Sequence, residues 1–159
     1  MDQRLIEPFL ESTKNILKEI AEIEIISFNE AKQVNQDFSS LGVSSSISFS
    51  GKMKGRFIID TTEDIAKYII EKMMGEKITH IKNSLYLSGI SEMNNTIAGD
   101  ANTYLNNTYG LGLRLAPPIV FSGKKIMVAT SKIDSITVHC MTKLGEINLN
   151  IAFQGGELI

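Results

Sequence analysis

The 159 residues include 16 Lys and Arg against 18 Asp and Glu, a formal charge of −2, and 43% are hydrophobic. Such a chain can bury a core as one folded domain over residues 1–159, which excludes a disordered protein. It also lacks the reservoir of cations needed to release counterions from nucleic acid or to hold an anionic membrane. The single cysteine, Cys140, cannot close an intrachain disulfide, and with only His80 and His139 beside it cannot anchor a Cys-rich zinc site. No stretch approaches eighteen consecutive apolar residues and residues 1–8 lack an apolar run, so the expectation is a soluble, cytoplasmic, metal-free protein.

In chain order, Leu5, Ile6, Phe9, Ile16, Leu17 and Ile20 recur at helical spacing and predict an amphipathic first helix within residues 3–22. Pro8 suits an early helical turn, which leaves the expected start at either Gln3 or Glu7. Residues 24–34 begin rich in β-formers. Residues 44–49 and 55–60 then flank a Gly51-Lys52-Met53-Lys54 turn and predict a hairpin. A second helix is expected over residues 62–74, with Thr61 or Thr62 as N-cap, Glu63 and Asp64 at its positive end, and Gly75 closing it. A longer third helix is expected over residues 84–109, where Ile90, Met93, Ile97, Ala101, Tyr104 and Thr108 follow steps of three and four before Gly110 and Gly112. Three β segments close the chain: residues 119–122, 125–130 together with 135–141, and 146–153, with turns at Gly123-Lys124 and Leu144-Gly145. This pattern predicts an α+β fold in which helices cover a largely antiparallel sheet. A helix followed by a Gly-turned β pair occurs twice, and Phe49-Ser50-Gly51-Lys52 echoes Phe121-Ser122-Gly123-Lys124, which raises an internal pseudo-two-fold repeat.

The third helix carries the most informative stretch, Ser91 to Asn102. With Ile90 at zero on a helical wheel of about 100° per residue, the apolar stripe lies within about 60° of zero, while Glu92, Asn95 and Gly99 fall at about 200°, 140° and 180°. Glu92 and Asn95 are therefore neighbours one turn apart on the outward face, and Gly99 one turn further removes any side chain that would hold a partner off the helix. A mid-helix glycine costs about 1 kcal/mol relative to alanine, so a packing or access reason is worth seeking. A carboxamide beside an acid can fix a water in line with a phosphorus atom held by another protein, while the acid pairs with a cation near that phosphate. With 12 Glu and 11 Asn in the chain, about one Glu-x-x-Asn pair arises by chance, so spacing alone favours a solvated helix face.

The other candidates read as structure. His139 and Cys140 are adjacent in a strand and point to opposite faces, so they cannot form a catalytic pair with each other. His80 sits between Lys77 and Lys82 in an expected loop. Gly51 to Gly55 lacks the spacing of a phosphate loop and lies between strands.

Glu7-Pro8-Phe9-Leu10-Glu11-Ser12, the stretch Ser91-Glu92-Met93-Asn94-Asn95-Thr96-Ile97-Ala98-Gly99-Asp100-Ala101, Pro117-Pro118 and the closing Ile147 to Phe153 together resemble the CheC, CheX and FliY family. These are phosphatases that dephosphorylate the chemotaxis response regulator CheY, and the likeness is to the CheX branch in particular. The resemblance implies that Asn95 orients the attacking water at the aspartyl phosphate and that Glu92 pairs with the lysine of the regulator. Magnesium would belong to the receiver domain, with no cofactor held by this chain. Gly99 and Asn102 are the residues expected to border the docked partner. Family members of the CheC type carry a second copy of the motif on the first helix. Here Glu11 and Asn15 are four apart, so one site per chain is expected. The resemblance also implies a homodimer joined through β structure. A non-catalytic module of the same fold, docking receiver domains or signalling complexes, is the alternative expectation.

Overall fold

The structure is a computed structural model and describes residues 1–33, 37–77, 83–123, 125–128, 133–155 and 157–158. His80, Lys124 and the expected strand ends at Val34 and Thr130 lie outside these residues.

Helix α1 (Gln3–Ala21) takes the earlier of the two expected starts, because Asp2 caps it. The Asp2 carboxylate accepts from the Arg4 N–H at 3.0 Å and from the Arg4 guanidinium at 2.6–3.2 Å. That pairing, chiefly the side-chain hydrogen bonds, holds the Asp2 carboxyl at about 2. Pro8 is buried inside the helix, near enough to its start that only one first-turn carbonyl loses a partner. Strand β1 (Ile25–Gln33) follows, then a two-residue β2 (Phe38–Ser39). The hairpin is as expected: β3 (Val43–Ser50) pairs antiparallel with β4 (Lys54–Thr61) around the Gly51 turn. Helix α2 (Glu63–Met74) is capped by Thr62, whose hydroxyl accepts from the Ile65 N–H at 3.2 Å. It is closed by Gly75 at φ 71°, a left-handed conformation that glycine adopts without a Cβ clash. Helix α3 (Asn83–Tyr109) leads into β5 (Arg114–Leu115), β6 (Ile119–Ser122), β7 (Met127–Val128), β8 (Ser135–Thr142) and β9 (Gly145–Phe153).

Seven strands form one antiparallel sheet in the order β1-β8-β9-β4-β3-β5, with β6 also on β3, while β2 and β7 pair apart from it. The fold is the expected α+β arrangement, with helices against an antiparallel sheet.

The helices cover one sheet face, and the core lies between. Phe9 of α1 is fully buried, its ring 5.1–6.1 Å from those of Phe49, Phe57 and Phe153 on β3, β4 and β9. Gly55 makes this possible, since a Cβ there would stand 2.4 Å from the Phe49 ring and 2.5 Å from the Ala152 carbonyl oxygen. On the opposite face the buried Asp60 carboxylate accepts from the hydroxyls of Ser40 and Ser44 and from the Leu41 N–H, tying residues 40–42 to the sheet. Burial pushes this carboxyl above its ordinary range, and those donors oppose the shift. Phe9→Ala would empty the centre of the aromatic cluster, and urea denaturation should show a loss of about 3–5 kcal/mol.

Candidate functional site

The site is built on α3, 27 residues and roughly 40 Å long. Its inner face is dry: Ile90, Met93, Asn94, Ile97, Ala98, Ala101 and Leu105 are fully buried. The buried stripe is centred some tens of degrees away from Ile90, toward Asn94 and Ala98, because the helix contacts α1, α2 and β3 at once. Asn94 is a polar member of that face. Its Nδ2 donates to the Ser45 carbonyl and to the Ser45 hydroxyl, both at 2.9 Å, and so fixes the rotation of α3 over β3. Gly89 lets α2 approach, for a Cβ there would lie 2.5 Å from Cγ1 of Ile70.

With that rotation set, Glu92 and Asn95 are exposed on the solvent side of α3, one turn apart. Among the described residues neither side chain is engaged in an internal hydrogen bond or ion pair. Thr96 and Thr103 return their hydroxyls to the carbonyls of Glu92 and Gly99, at 3.0 and 2.8 Å, leaving the acid and the amide free to face outward. Gly99 follows on the same side. A Cβ built on it would meet only Cδ1 of Leu115, at an ordinary 3.8 Å. Internal packing therefore does not require this glycine.

Two expectations about α3 need correction. Asn102 is 3% exposed, and neither atom of its amide has a partner among the described residues, so it does not present its side chain to a docked protein. At about 120° from Ile90 it falls within the displaced buried stripe. Tyr104, taken as part of the apolar stripe, is 55% exposed, and the stripe steps from Ala101 to Leu105 instead.

The structure also supplies what the sequence did not signal. Asn106 grips the chain that leaves α3: its Oδ1 accepts from the Leu113 N–H at 2.6 Å and its Nδ2 donates to the Leu113 carbonyl at 3.0 Å, which seats Leu115 of β5 beside Gly99. A cavity of about 320 Å³ runs between α1 and α3, lined by Arg4, Glu11, Ser12, Asn15, Asp100 and Tyr104, with Ser12 donating to Asp100 at 2.5 Å across the helices. Elsewhere, Cys140 is buried on the helix side of β8, and burial pushes its thiol up to about 12. His139 faces the other way, with Nδ1 2.6 Å from a Glu146 carboxylate oxygen and 2.7 Å from Oδ1 of Asn148. Among the described residues no group of three or more His, Cys, Asp or Glu is placed to hold a metal ion, and no helix is long and apolar enough to cross a membrane.

Residues 43–141, from β3 through most of β8 and including all of α3, match the family model described as chemotaxis phosphatase CheX. The chain belongs to the CheX family. A CheC-like superfamily protein from a Shewanella species shares 29% identity over 98% of this chain and all of its own length, with a TM-score of 0.85. The CheX of Desulfovibrio desulfuricans superposes at 0.84 with 23% identity, over 94% of this chain and 99% of that one. The CheX of Borrelia burgdorferi, crystallised in complex with CheY, BeF3 and Mg2+, superposes at 0.77 with 24% identity, over 94% and 97%. No curated protein sequence matches the chain.

Because only an ordinary contact awaits a methyl at position 99, Gly99→Ala should stabilise the protein by about 0.5–1 kcal/mol in urea denaturation. A loss of stability would show that the glycine is needed by the fold itself.

Proposed function

We propose that the chain is a phosphatase acting on the aspartyl phosphate of CheY or a related receiver domain, with Glu92 and Asn95 as its catalytic pair. The observation that carries this reading is the pair itself: an acid and a carboxamide one turn apart, exposed, unengaged, and held on a helix whose other face is locked into the core. Membership of a family described as chemotaxis phosphatases, and a relative of the same fold crystallised with CheY, support it.

The chemistry asks little of the pKa of either residue. In a loose phosphoryl-transfer transition state the acceleration comes from placing the water and the charges. The Asn95 amide accepts a hydrogen bond from the attacking water through Oδ1 and turns a lone pair of that water toward phosphorus, in line with the departing aspartate oxygen. Glu92 pairs with a lysine beside the phosphate and fixes the orientation of the two proteins. Mg2+ held by the receiver neutralises the phosphoryl oxygens. Gly99 keeps the helix surface flat where the receiver backbone must approach. The working assembly in this reading is a homodimer in the cytoplasm, for which β1, paired only with β8 among the described residues, offers an open edge.

Water positioning and charge pairing are each worth about a hundredfold, or about 2.7 kcal/mol. Asn95→Ala should lower kcat about a hundredfold with little change in KM, whereas Glu92→Ala should lower kcat and raise KM together, in single- and multiple-turnover assays on a phosphorylated receiver with Mg2+ present. Gly99→Ala should raise KM roughly tenfold while the fold is, if anything, more stable. Full activity in Asn95→Ala would remove that residue from the mechanism, and tight binding of phosphorylated receiver with no acceleration by wild type would favour the docking module.

A further inference from the structure

Among the described residues the sheet ends in two open edges, β1 on one side and β5 with β6 on the other, and the second packs alongside α3. Contacts fix which flank of the helix this is. On the wheel that starts at Ile90, Asn106 and Gly99 stand at about 160° and 180°. Asn106 holds Leu113, and Gly99 lies beside Leu115. Asp100, at about 280°, meets Ser12 of α1 on the opposite flank. Asn95 and Glu92, at about 140° and 200°, therefore project on the side of β5 and β6.

The hydrogen-bond pattern decides which groups of this edge are free. The Gly123 N–H donates to the Gly42 carbonyl at 2.7 Å, and in an antiparallel pair such exchanging partners recur at every second residue. The register then joins Phe121 to Ser44 and Ile119 to Ser46. Val120 and Ser122 consequently turn their N–H and C=O groups away from β3. Ala116 donates to the Ser48 carbonyl at 2.8 Å, so Leu115 of β5 turns its own outward as well. Among the described residues no hydrogen bond reaches the outward main-chain groups of Val120 or Ser122.

Proteins usually protect such an edge with charge, with proline or with a covering element. Ile119, Val120, Phe121 and Ser122 carry no charge, and among the described residues no strand lies on the outer side of β6. Pro117 and Pro118 interrupt the edge just before β6, which stops a long strand from running across it and leaves a short stretch open. Ile119, 69% exposed, adds an apolar side chain at the start of that stretch. An uncharged and unpaired run of main chain thus lies along the flank from which the acid and the amide project.

We infer that the receiver domain docked on Glu92 and Asn95 also lays a short extended segment of its own main chain along β6, exchanging hydrogen bonds with Val120 and Ser122. Main-chain pairing at a sheet edge supplies affinity without demanding particular side chains, and the groups beside it supply selectivity. Such pairing holds the receiver at a fixed height against α3, which water positioning by Asn95 requires. The identity of the partner rests on the phosphatase reading, whereas the open edge does not.

The test follows amide hydrogen exchange by NMR on the intact chain, alone and saturated with a CheY-type receiver carrying BeF3 and Mg2+. The Val120 and Ser122 amides should exchange fast in the free protein and at least tenfold more slowly in the complex, while amides along β1 keep their free rates. Val120→Pro and Ser122→Pro each delete one outward N–H and no internal hydrogen bond, a change that an edge strand tolerates, and each should weaken receiver binding roughly fivefold. Ser122→Ala keeps the N–H and should bind like wild type. If the wild type speeds the loss of phosphate from the receiver yet neither amide is protected, the edge assignment fails and the phosphatase reading stands. An unchanged decay rate together with unprotected amides removes both. Slowed exchange that depends on the concentration of this chain alone, with no receiver added, would give the edge to a second copy and overturn the assignment.

Discussion

The rotation of α3 about its own axis is the constraint on which the site depends. Seven fully buried residues, one of them Asn94 with its two hydrogen bonds from Nδ2 to Ser45, set that rotation. A buried amide that lost those bonds would cost about 1–3 kcal/mol, comparable with the gain from burying one apolar side chain. Asn94 and Asn95 are adjacent and about 100° apart, so the residue that locks the helix also aims its neighbour at solvent. Rigidity of this kind matters for positioning catalysis, where a displacement of an ångström is enough to lose the in-line geometry.

Around this helix the other elements act as supports. The aromatic cluster of Phe9, Phe49, Phe57 and Phe153 ties α1 to the sheet, and α1 with α2 forms the cradle in which α3 lies. Asn106 brings β5 back along the sheet edge and sets Leu115 beside Gly99.

Much of this was legible in the sequence because it is local. The Gly51 turn, the Thr62 and Gly75 caps and the outward setting of Glu92 and Asn95 follow from spacing and residue type, and the structure reproduces them. What was missed depends on distant parts of the chain. The two-residue strands β2, β5 and β7 exist only through their partners, and nothing in two residues distinguishes them from loop. Asn102 was read as surface because a wheel centred on the apolar residues could not register that three neighbours widen the buried arc. The start of α1, left open between Gln3 and Glu7, turned on Asp2, whose capping outweighs the preference of Pro8 for the first turn.

The most direct test of the central claim is the rate at which a phosphorylated CheY-type receiver loses its phosphate when wild-type protein is added in catalytic amounts with Mg2+ present. The account predicts several equivalents of phosphate released per chain and a first-order decay that quickens in proportion to added protein. An unchanged decay rate, with the two proteins shown to bind under the same conditions, would contradict it.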